Sequence, residues 1–177
     1  MPSERRTYGN CSFIVPDGFD VPGDASLLNS RMPGRQHPSP ESKTFLSITL
    51  SSTIGHADVP DYSESPKDLA PHAFPASITL TLHKYAGFPF VFLRNTEAVL
   101  QEHFKDFKIY FCNKDKVGKC TAARSQSSYN NNFEIFRLSY AWRTDSGLAV
   151  ATLMVAKAGL IKGWKDLRRF VTSIRFE

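Results

Sequence analysis

The stretch that decides the fold class is Phe136-Arg137-Leu138-Ser139-Tyr140-Ala141-Trp142-Arg143-Thr144-Asp145-Ser146-Gly147. Large apolar side chains occupy alternate positions from Phe136 to Trp142, which is the period of a half-buried β-strand. Residues 144–147 bring the polar side chains and the glycine of a tight turn, and the apolar run 148–156 continues as a second strand. Because this second strand is apolar on both faces, we predict that it is central in its sheet.

The segment after this hairpin predicts an amphipathic helix at 160–171. Its apolar residues recur every three or four positions and therefore share one helix face; they are Leu160, Ile161, Trp164, Leu167, Phe170 and Val171. The opposite face carries Lys162, Lys165, Asp166, Arg168 and Arg169. Two strands followed by a helix indicate an α+β protein.

Shorter patterns extend this picture along the chain. Alternation and apolar runs predict further strands at 11–15, 45–51, 78–83, 88–93, 107–111 and 120–127. Pro89 would place the strand at 88–93 near a sheet edge, and residues 96–104 predict a second helix with Asn95 or Thr96 as its N-cap. We expect a single antiparallel sheet of about six to eight strands, with two main helices packed on it.

The length of 177 residues fits one domain, 1–177, that is large enough for a packed core. An apolar fraction of 41% and 14 phenylalanines indicate a folded chain. Two proline-rich stretches, at about 16–43 and 53–77, interrupt the strand patterns and predict long irregular loops. Loops of this length are uncommon unless they are functional or disordered.

Neither a membrane span nor a signal peptide is visible, so we expect a cytoplasmic protein. The longest apolar run, 88–93, is far short of the roughly 20 residues that a spanning helix needs, and residues 1–6 lack an apolar targeting segment. In such a compartment Cys11, Cys112 and Cys120 are expected to be free thiols. Cys112 and Cys120 flank a predicted turn at 115–118, so a pairing between them stays open.

No catalytic or cofactor motif stands in the chain, and we predict neither a metal nor a cofactor. The histidines are His37, His56, His72, His83 and His103, and no two have the local spacing of zinc ligands. A cysteine or serine could still meet a histidine in space, which leaves an enzyme with a dispersed Cys-His or Ser-His site as an alternative.

The formal net charge of +5 and the pI of about 9.2 are a mild basic excess. The basic face of the predicted helix at 160–171 could contact phosphates, which keeps weak nucleic-acid binding as a second alternative. Lysine and arginine are also the ordinary solvated cover of a surface helix. We favour that interpretation and do not expect nucleic acid as the main partner.

Two terminal motifs, Ile14-Val15-Pro16-Asp17-Gly18-Phe19 and Thr172-Ser173-Ile174-Arg175-Phe176, resemble those of the PsbP-like superfamily. That superfamily includes PsbP, the Ran-release factors and the Eag chaperones of type VI secretion effectors. Its members open with a strand ending in a pattern that looks like Ile14-Val15-Pro16-Asp17-Gly18-Phe19. They close with a hairpin, a helix and a segment that looks like Thr172-Ser173-Ile174-Arg175-Phe176. Immunity proteins that neutralise secreted bacterial toxins are similar at this end. The resemblance implies a PsbP-like fold and a non-enzymatic role in protein binding.

We therefore predict a protein-binding module, either an effector chaperone or a toxin immunity protein of a bacterial secretion system. A chaperone would expose an apolar groove, for which the candidates are Phe88, Phe90, Phe92, Tyr140 and Trp142. An immunity protein would use a charged loop, for which the candidates are Asp58, Asp61, Glu64 and Asp68. The partner in either case is another protein, and the sequence leaves the oligomeric state open.

Overall fold

The structure is a computed structural model that describes residues 5–20, 43–52, 76–131 and 133–177. Its strands are β1 (Arg5–Tyr8), β2 (Cys11–Ile14), β3 (Phe19–Asp20), β4 (Lys43–Ser52), β5 (Ser77–Lys84), β6 (Lys108–Val117), β7 (Cys120–Asn131), β8 (Phe133–Thr144), β9 (Gly147–Ala156) and β10 (Arg175–Phe176). The helices are α1 (Pro89–His103) and α2 (Leu160–Ser173), and a single 3-10 turn (Lys157–Gly159) leads into α2.

The described residues form two antiparallel sheets, so the expectation of a single sheet is wrong. The larger sheet has seven strands in the order β3-β4-β5-β9-β8-β7-β6, and the smaller has the order β1-β2-β10. The turn at Pro16 to Gly18 separates β2 from β3 and sends the chain from one sheet to the other. Strand β9 lies between β5 and β8, which confirms that the apolar run 148–156 is a central strand.

The larger sheet is covered on both faces. Helix α1 packs over β6, β7 and β8 on one face, and α2 packs over β8 and β9 on the other, where it also meets β2. Adjacent side chains of a strand point to opposite faces, so β7, β8 and β9 divide their buried residues between two apolar clusters. The cluster beneath α2 is the larger and contains most of the buried leucines and aromatic rings.

Helix α2 follows the predicted apolar stripe with one exception. Leu167, Phe170 and Val171 are almost fully buried, whereas Ile161 is 78% exposed. Trp164 stacks on Phe111, and its indole Nε1 donates to Gln126 Oε1 at 3.0 Å. The helix is therefore tied to the sheet by both packing and a specific hydrogen bond.

The predicted strand at 88–93 is wrong, because α1 begins there and runs on to His103. Proline suits the first position of a helix, where its missing N–H would have no intrahelical acceptor. The N–H of Phe92 accordingly donates to the carbonyl of Phe88 at 3.1 Å. Thr96, proposed above as a candidate N-cap, lies within α1 and donates its hydroxyl to the carbonyl of Phe92 at 2.9 Å.

The hairpin between β6 and β7 turns at Gly118, whose φ of +59° favours glycine. In its register Val117 faces Cys120, and Cys112 faces Ser125. Cys112 and Cys120 are therefore not opposite each other, and all three cysteines are free. Beyond this hairpin β7 extends to Asn131 and β8 starts at Phe133, so both strands are longer than the predicted strands.

Several predictions fall on residues outside the described ranges. These include nearly all of both proline-rich stretches, since 21–42 and 53–75 are not described. The single domain 1–177 stays a prediction for the same reason. Within the described part of the chain, neither helix has the length and apolar character needed to cross a membrane.

Candidate functional site: an arginine cleft

A cleft of about 450 Å³ opens where the C-terminal half of α2 meets the end of β2. Three arginines line it, Arg5 from β1, Arg169 from α2 and Arg175 from β10, and we name it the arginine cleft after them. Asp17 and Asp166 contribute carboxylates to its wall. The cleft thus draws its charged groups from both ends of the chain.

The two terminal motifs meet at this cleft. The first forms a turn in which the N–H of Phe19 donates to the carbonyl of Pro16 at 3.1 Å, with Gly18 at a φ of +83°. A positive φ at the third position of such a turn is readily adopted by glycine. The second motif pairs with β2, so that Arg175 faces Ser12 across the smaller sheet.

Ser173 fastens the end of α2 to β2. Its hydroxyl accepts the N–H of Ile14 at 2.9 Å and donates to the carbonyl of Phe170 at 2.7 Å. Its own carbonyl accepts Nη1 of Arg5 at 3.1 Å, and the same nitrogen donates to Ser12 Oγ at 3.1 Å. The carbonyl of Ser173, which the helix itself leaves unpaired, is therefore satisfied by an arginine from the other end of the chain.

The charges of the cleft do not cancel. Asp166 is only 8% exposed and pairs with Lys162, whose Nζ lies 2.7 Å from Asp166 Oδ2. With Asp166 paired, the remaining charged groups of the cleft are the carboxylate of Asp17 and three exposed arginines. Arginine presents a planar fork of donors that suits carboxylates. The cleft therefore has an excess of positive charge, and Nη1 of Arg5 and Nη1 of Arg175 already donate to oxygens of the protein.

A second, more open depression continues the cleft along α2. It is lined by Lys165, Arg168, Arg169 and Thr172, and all four are exposed. Arg169 lines both surfaces and joins them. The basic helix face predicted from the sequence is thus the rim of a concave site, which periodicity alone could not reveal.

The five aromatic groove candidates are not brought together. Phe88 is 72% exposed and Phe90 is half-buried, but Phe92, Tyr140 and Trp142 are at most 6% exposed. Phe92 belongs to the cluster beneath α1, whereas Tyr140 and Trp142 lie on the opposite face of the larger sheet. These five residues therefore form no common groove. The acidic candidates Asp58, Asp61, Glu64 and Asp68 lie outside the described residues, and their role stays a prediction.

The sheet order keeps Cys112 and His83, two candidates for a dispersed site, apart. Cys112 on β6 and His83 on β5 are four strand spacings apart, or about 19 Å. His83 is buried, with Nε2 at 2.8 Å from Thr81 Oγ1. That hydroxyl also lies 3.4 Å from the carbonyl of Val150. Among the described residues no group of three metal-ligating side chains forms.

The three thiols should differ sharply in reactivity. Burial raises the pKa of Cys11 to about 11; burial and then the carboxylate of Glu97 raise the pKa of Cys112. Because the thiolate is the nucleophile, we expect iodoacetamide at pH 8 to modify exposed Cys120 first, Cys112 slowly, and Cys11 only after unfolding. Peptide mass mapping over time measures this order. Early modification of Cys11 would contradict the packing around β2.

None of the residues proposed from the sequence for partner binding lines the cleft. Arg5 precedes the first predicted strand, and the short polar strand β1 that carries it shows no apolar alternation. The pattern Arg5-Arg6-Thr7-Tyr8 could have been noticed only as a partner for the strand at 11–15. Its place in the cleft depends on pairing with β2, where Arg5 faces Ile14.

The fold, a larger antiparallel sheet between two helices with a closing segment that returns to an early strand, is similar to solved structures. CyanoP, the PsbP of the cyanobacterium Synechocystis, has a similar structure, with a TM-score of 0.55, 11% identity and coverage of 100% of this chain and 94% of that one. A point mutant of the protein Mog1 is similar at a TM-score of 0.53 and 15% identity, covering 99% and 96%.

TplEi, a type VI secretion immunity protein of Pseudomonas aeruginosa, matches at a TM-score of 0.49 and 10% identity, covering 99% of this chain and 97% of that one. At these identities the likeness concerns the fold alone. No protein-family model and no curated protein sequence matches the chain. The weak PsbP-like resemblance stated from the terminal motifs is confirmed at the level of fold.

Proposed function

We propose that this protein is a non-enzymatic protein-binding module that holds an acidic segment of a partner in the arginine cleft. The observation that carries the proposal is the convergence of Arg5, Arg169 and Arg175 on one concave surface. Hydrogen bonds between charged groups are stronger than neutral ones, and arginine can make two of them to one carboxylate. Lys165 and Arg168 extend the same positive surface beyond the cleft.

A polypeptide fits this surface better than a nucleic acid does. Asp17 lines the cleft, and its carboxylate can pair with a lysine or arginine of a protein partner, a contact that a nucleic acid does not offer. Binding of single-stranded nucleic acid usually adds aromatic side chains on which bases stack. The aromatic residue of α2 nearest the basic face, Trp164, is stacked on Phe111 and hydrogen-bonded to Gln126 instead.

Within this proposal, the described surface favours a toxin immunity protein over an effector chaperone. Three of the five aromatic residues assigned to a chaperone groove are core residues, whereas the concave surface is charged. The assignment to a bacterial secretion system is supported by the terminal motifs alone. An immunity protein should hold a folded domain of its toxin, while a chaperone should hold an extended apolar segment.

The test is a pull-down from the source organism with three forms of the chain. We expect the unmodified protein and the control K84Q/K157Q to retain the same stoichiometric partner, because the control removes two exposed positive charges that lie away from the cleft. R169Q/R175Q should weaken binding at least about tenfold, since a hydrogen bond to a charged group contributes about 1.5–3 kcal/mol. Thermal unfolding verifies that all three forms are folded.

Equal capture by R169Q/R175Q would place the partner elsewhere and contradict the cleft assignment. Co-purification of nucleic acid, with binding that falls steeply as salt rises, would favour the nucleic-acid alternative. Proteolytic mapping of the captured partner then separates the two versions of the role. Protection of a compact domain supports an immunity protein, and protection of one short segment supports a chaperone.

A further inference from the structure

Strand β6 ends the larger sheet and is bonded to a neighbour on one side only, among the residues that the structure describes. It is ten residues long, and most of its side chains are exposed or half-buried. The backbone N–H and C=O groups of a strand edge are ready-made partners for another strand. This edge is separate from the arginine cleft and does not depend on the proposed function.

The regular part of the edge runs from Phe111 to Val117, and within it the N–H of Lys116 already donates to Asp115 Oδ1 at 2.8 Å. A register irregularity lies between Ile109 and Phe111, and such bulges bend a strand and interrupt regular pairing. Beyond it the pairing with β7 is regular as far as the turn, from Phe111 facing Gln126 to Val117 facing Cys120. Seven residues of regular strand are enough to pair with an extended segment of a partner.

The charges along this part of the edge are arranged with the period of a strand. Lys114 and Lys116 occupy alternate positions and therefore point to the same face of the sheet. That face is the one covered by α1, because Lys114 Nζ lies 6.0 Å from the centre of the Phe90 ring. The one acidic residue, Asp115, points to the other face and lies 3.6 Å from Arg124.

We infer that the Phe111–Val117 edge of β6 binds an extended polypeptide segment with acidic residues at alternate positions. Pairing would add an eighth strand, with the carboxylates opposite Lys114 and Lys116. Opposite charges facing each other across strands stabilise a sheet, and like charges destabilise it. If a second copy of this chain paired through the same edge, its lysines would add positive charge next to Lys114 and Lys116. Self-pairing is therefore disfavoured, whereas pairing with an acidic strand is favoured.

The test uses a nine-residue peptide that alternates threonine and glutamate, followed by NMR titration of the labelled protein. We expect shift changes and slower amide exchange to concentrate at 111–117. Methylating the amide nitrogens of one alternate set of peptide residues should abolish binding, and methylating the other set should not, since only one edge of a strand faces its partner. Changes centred on Arg5, Arg169 and Arg175 would show binding in the cleft instead and would overturn the inference.

The matched control exchanges the charges of the protein edge and of the peptide. K114E/K116E should weaken binding of the threonine-glutamate peptide at least about fivefold and should gain binding of a threonine-lysine peptide, because the facing charges are exchanged together. Shift changes absent at millimolar peptide would overturn the inference. Equal binding of both methylated peptides would also overturn it, because charge attraction without strand pairing explains that result.

Discussion

Replacing Arg137 with methionine is expected to lower the free energy of unfolding by about 3–5 kcal/mol, because it leaves a buried carboxylate without its countercharge. Glu97 on α1 is 1% exposed, and its Oε1 lies 3.1 Å from Nη1 of Arg137 on β8. Ser125 Oγ donates to the same oxygen at 2.9 Å. Oε2 has no hydrogen-bond partner among the described residues, so nothing else there replaces the guanidinium.

Urea denaturation measures this effect, and two further variants interpret it. The double variant E97L/R137M should recover most of the loss, since a buried ion pair can often be replaced by packed apolar residues at little cost. R94M removes an exposed arginine from the same helix and should change the stability by less than about 0.5 kcal/mol. A loss below about 1 kcal/mol for R137M would mean that water reaches Glu97 and solvates it.

Replacing Phe13 with alanine is expected to cost about 3–5 kcal/mol, the usual range for a phenylalanine removed from a packed core. Phe13 is fully buried, and its ring packs edge-to-face on Phe170 of α2 with centroids 5.1 Å apart. Tyr8 stacks on the Phe13 ring with centroids 5.6 Å apart. This ring therefore provides an apolar link between the smaller sheet and α2.

A double-mutant cycle on F13A and F170A should give a coupling of about 0.5–1.5 kcal/mol for the aromatic pair. V91A, which shortens an apolar side chain on α1 that is 41% exposed, should change the stability by less than about 0.5 kcal/mol. Additive losses in the cycle would contradict direct contact between the rings. Because β2 forms one wall of the arginine cleft, F13A should also weaken partner binding more than V91A does.

Much of the secondary structure was predictable because it is encoded locally. The alternation in 136–142, the two-faced apolar run 148–156 and the helical stripe near 160–171 all correspond to observed elements. The strand at 88–93 was predicted wrongly, since a short aromatic run with a proline is ambiguous between a strand edge and a helix start. Tertiary contacts decided it, because Phe92 and Leu93 are buried only when α1 lies on the sheet.

The candidate site was predictable only in its parts. The basic residues of α2 and both terminal motifs could be recognised in the sequence. That they lie together in the folded chain could not be predicted from it. The N–H of Ile14 donates a hydrogen bond to the hydroxyl of Ser173, which is 159 positions away in the chain. A local sequence pattern cannot predict a contact between residues so far apart. Likewise, the alternate positions of Tyr140 and Trp142 fit a solvent-facing side of the sheet as well as a core-facing side. The packing of α2 on the sheet buries both side chains in the core.

By itself, the sequence determined the α+β class, the central strand β9 and the basic helix α2, because each follows from the spacing of apolar side chains over a few turns or one strand. The tertiary structure alone decided that the strands divide into two sheets, that Arg5 joins Arg169 and Arg175, and that β6 ends the larger sheet. These features depend on which distant segments pair. That choice is governed by the total burial and hydrogen bonding of the folded chain rather than by any single segment.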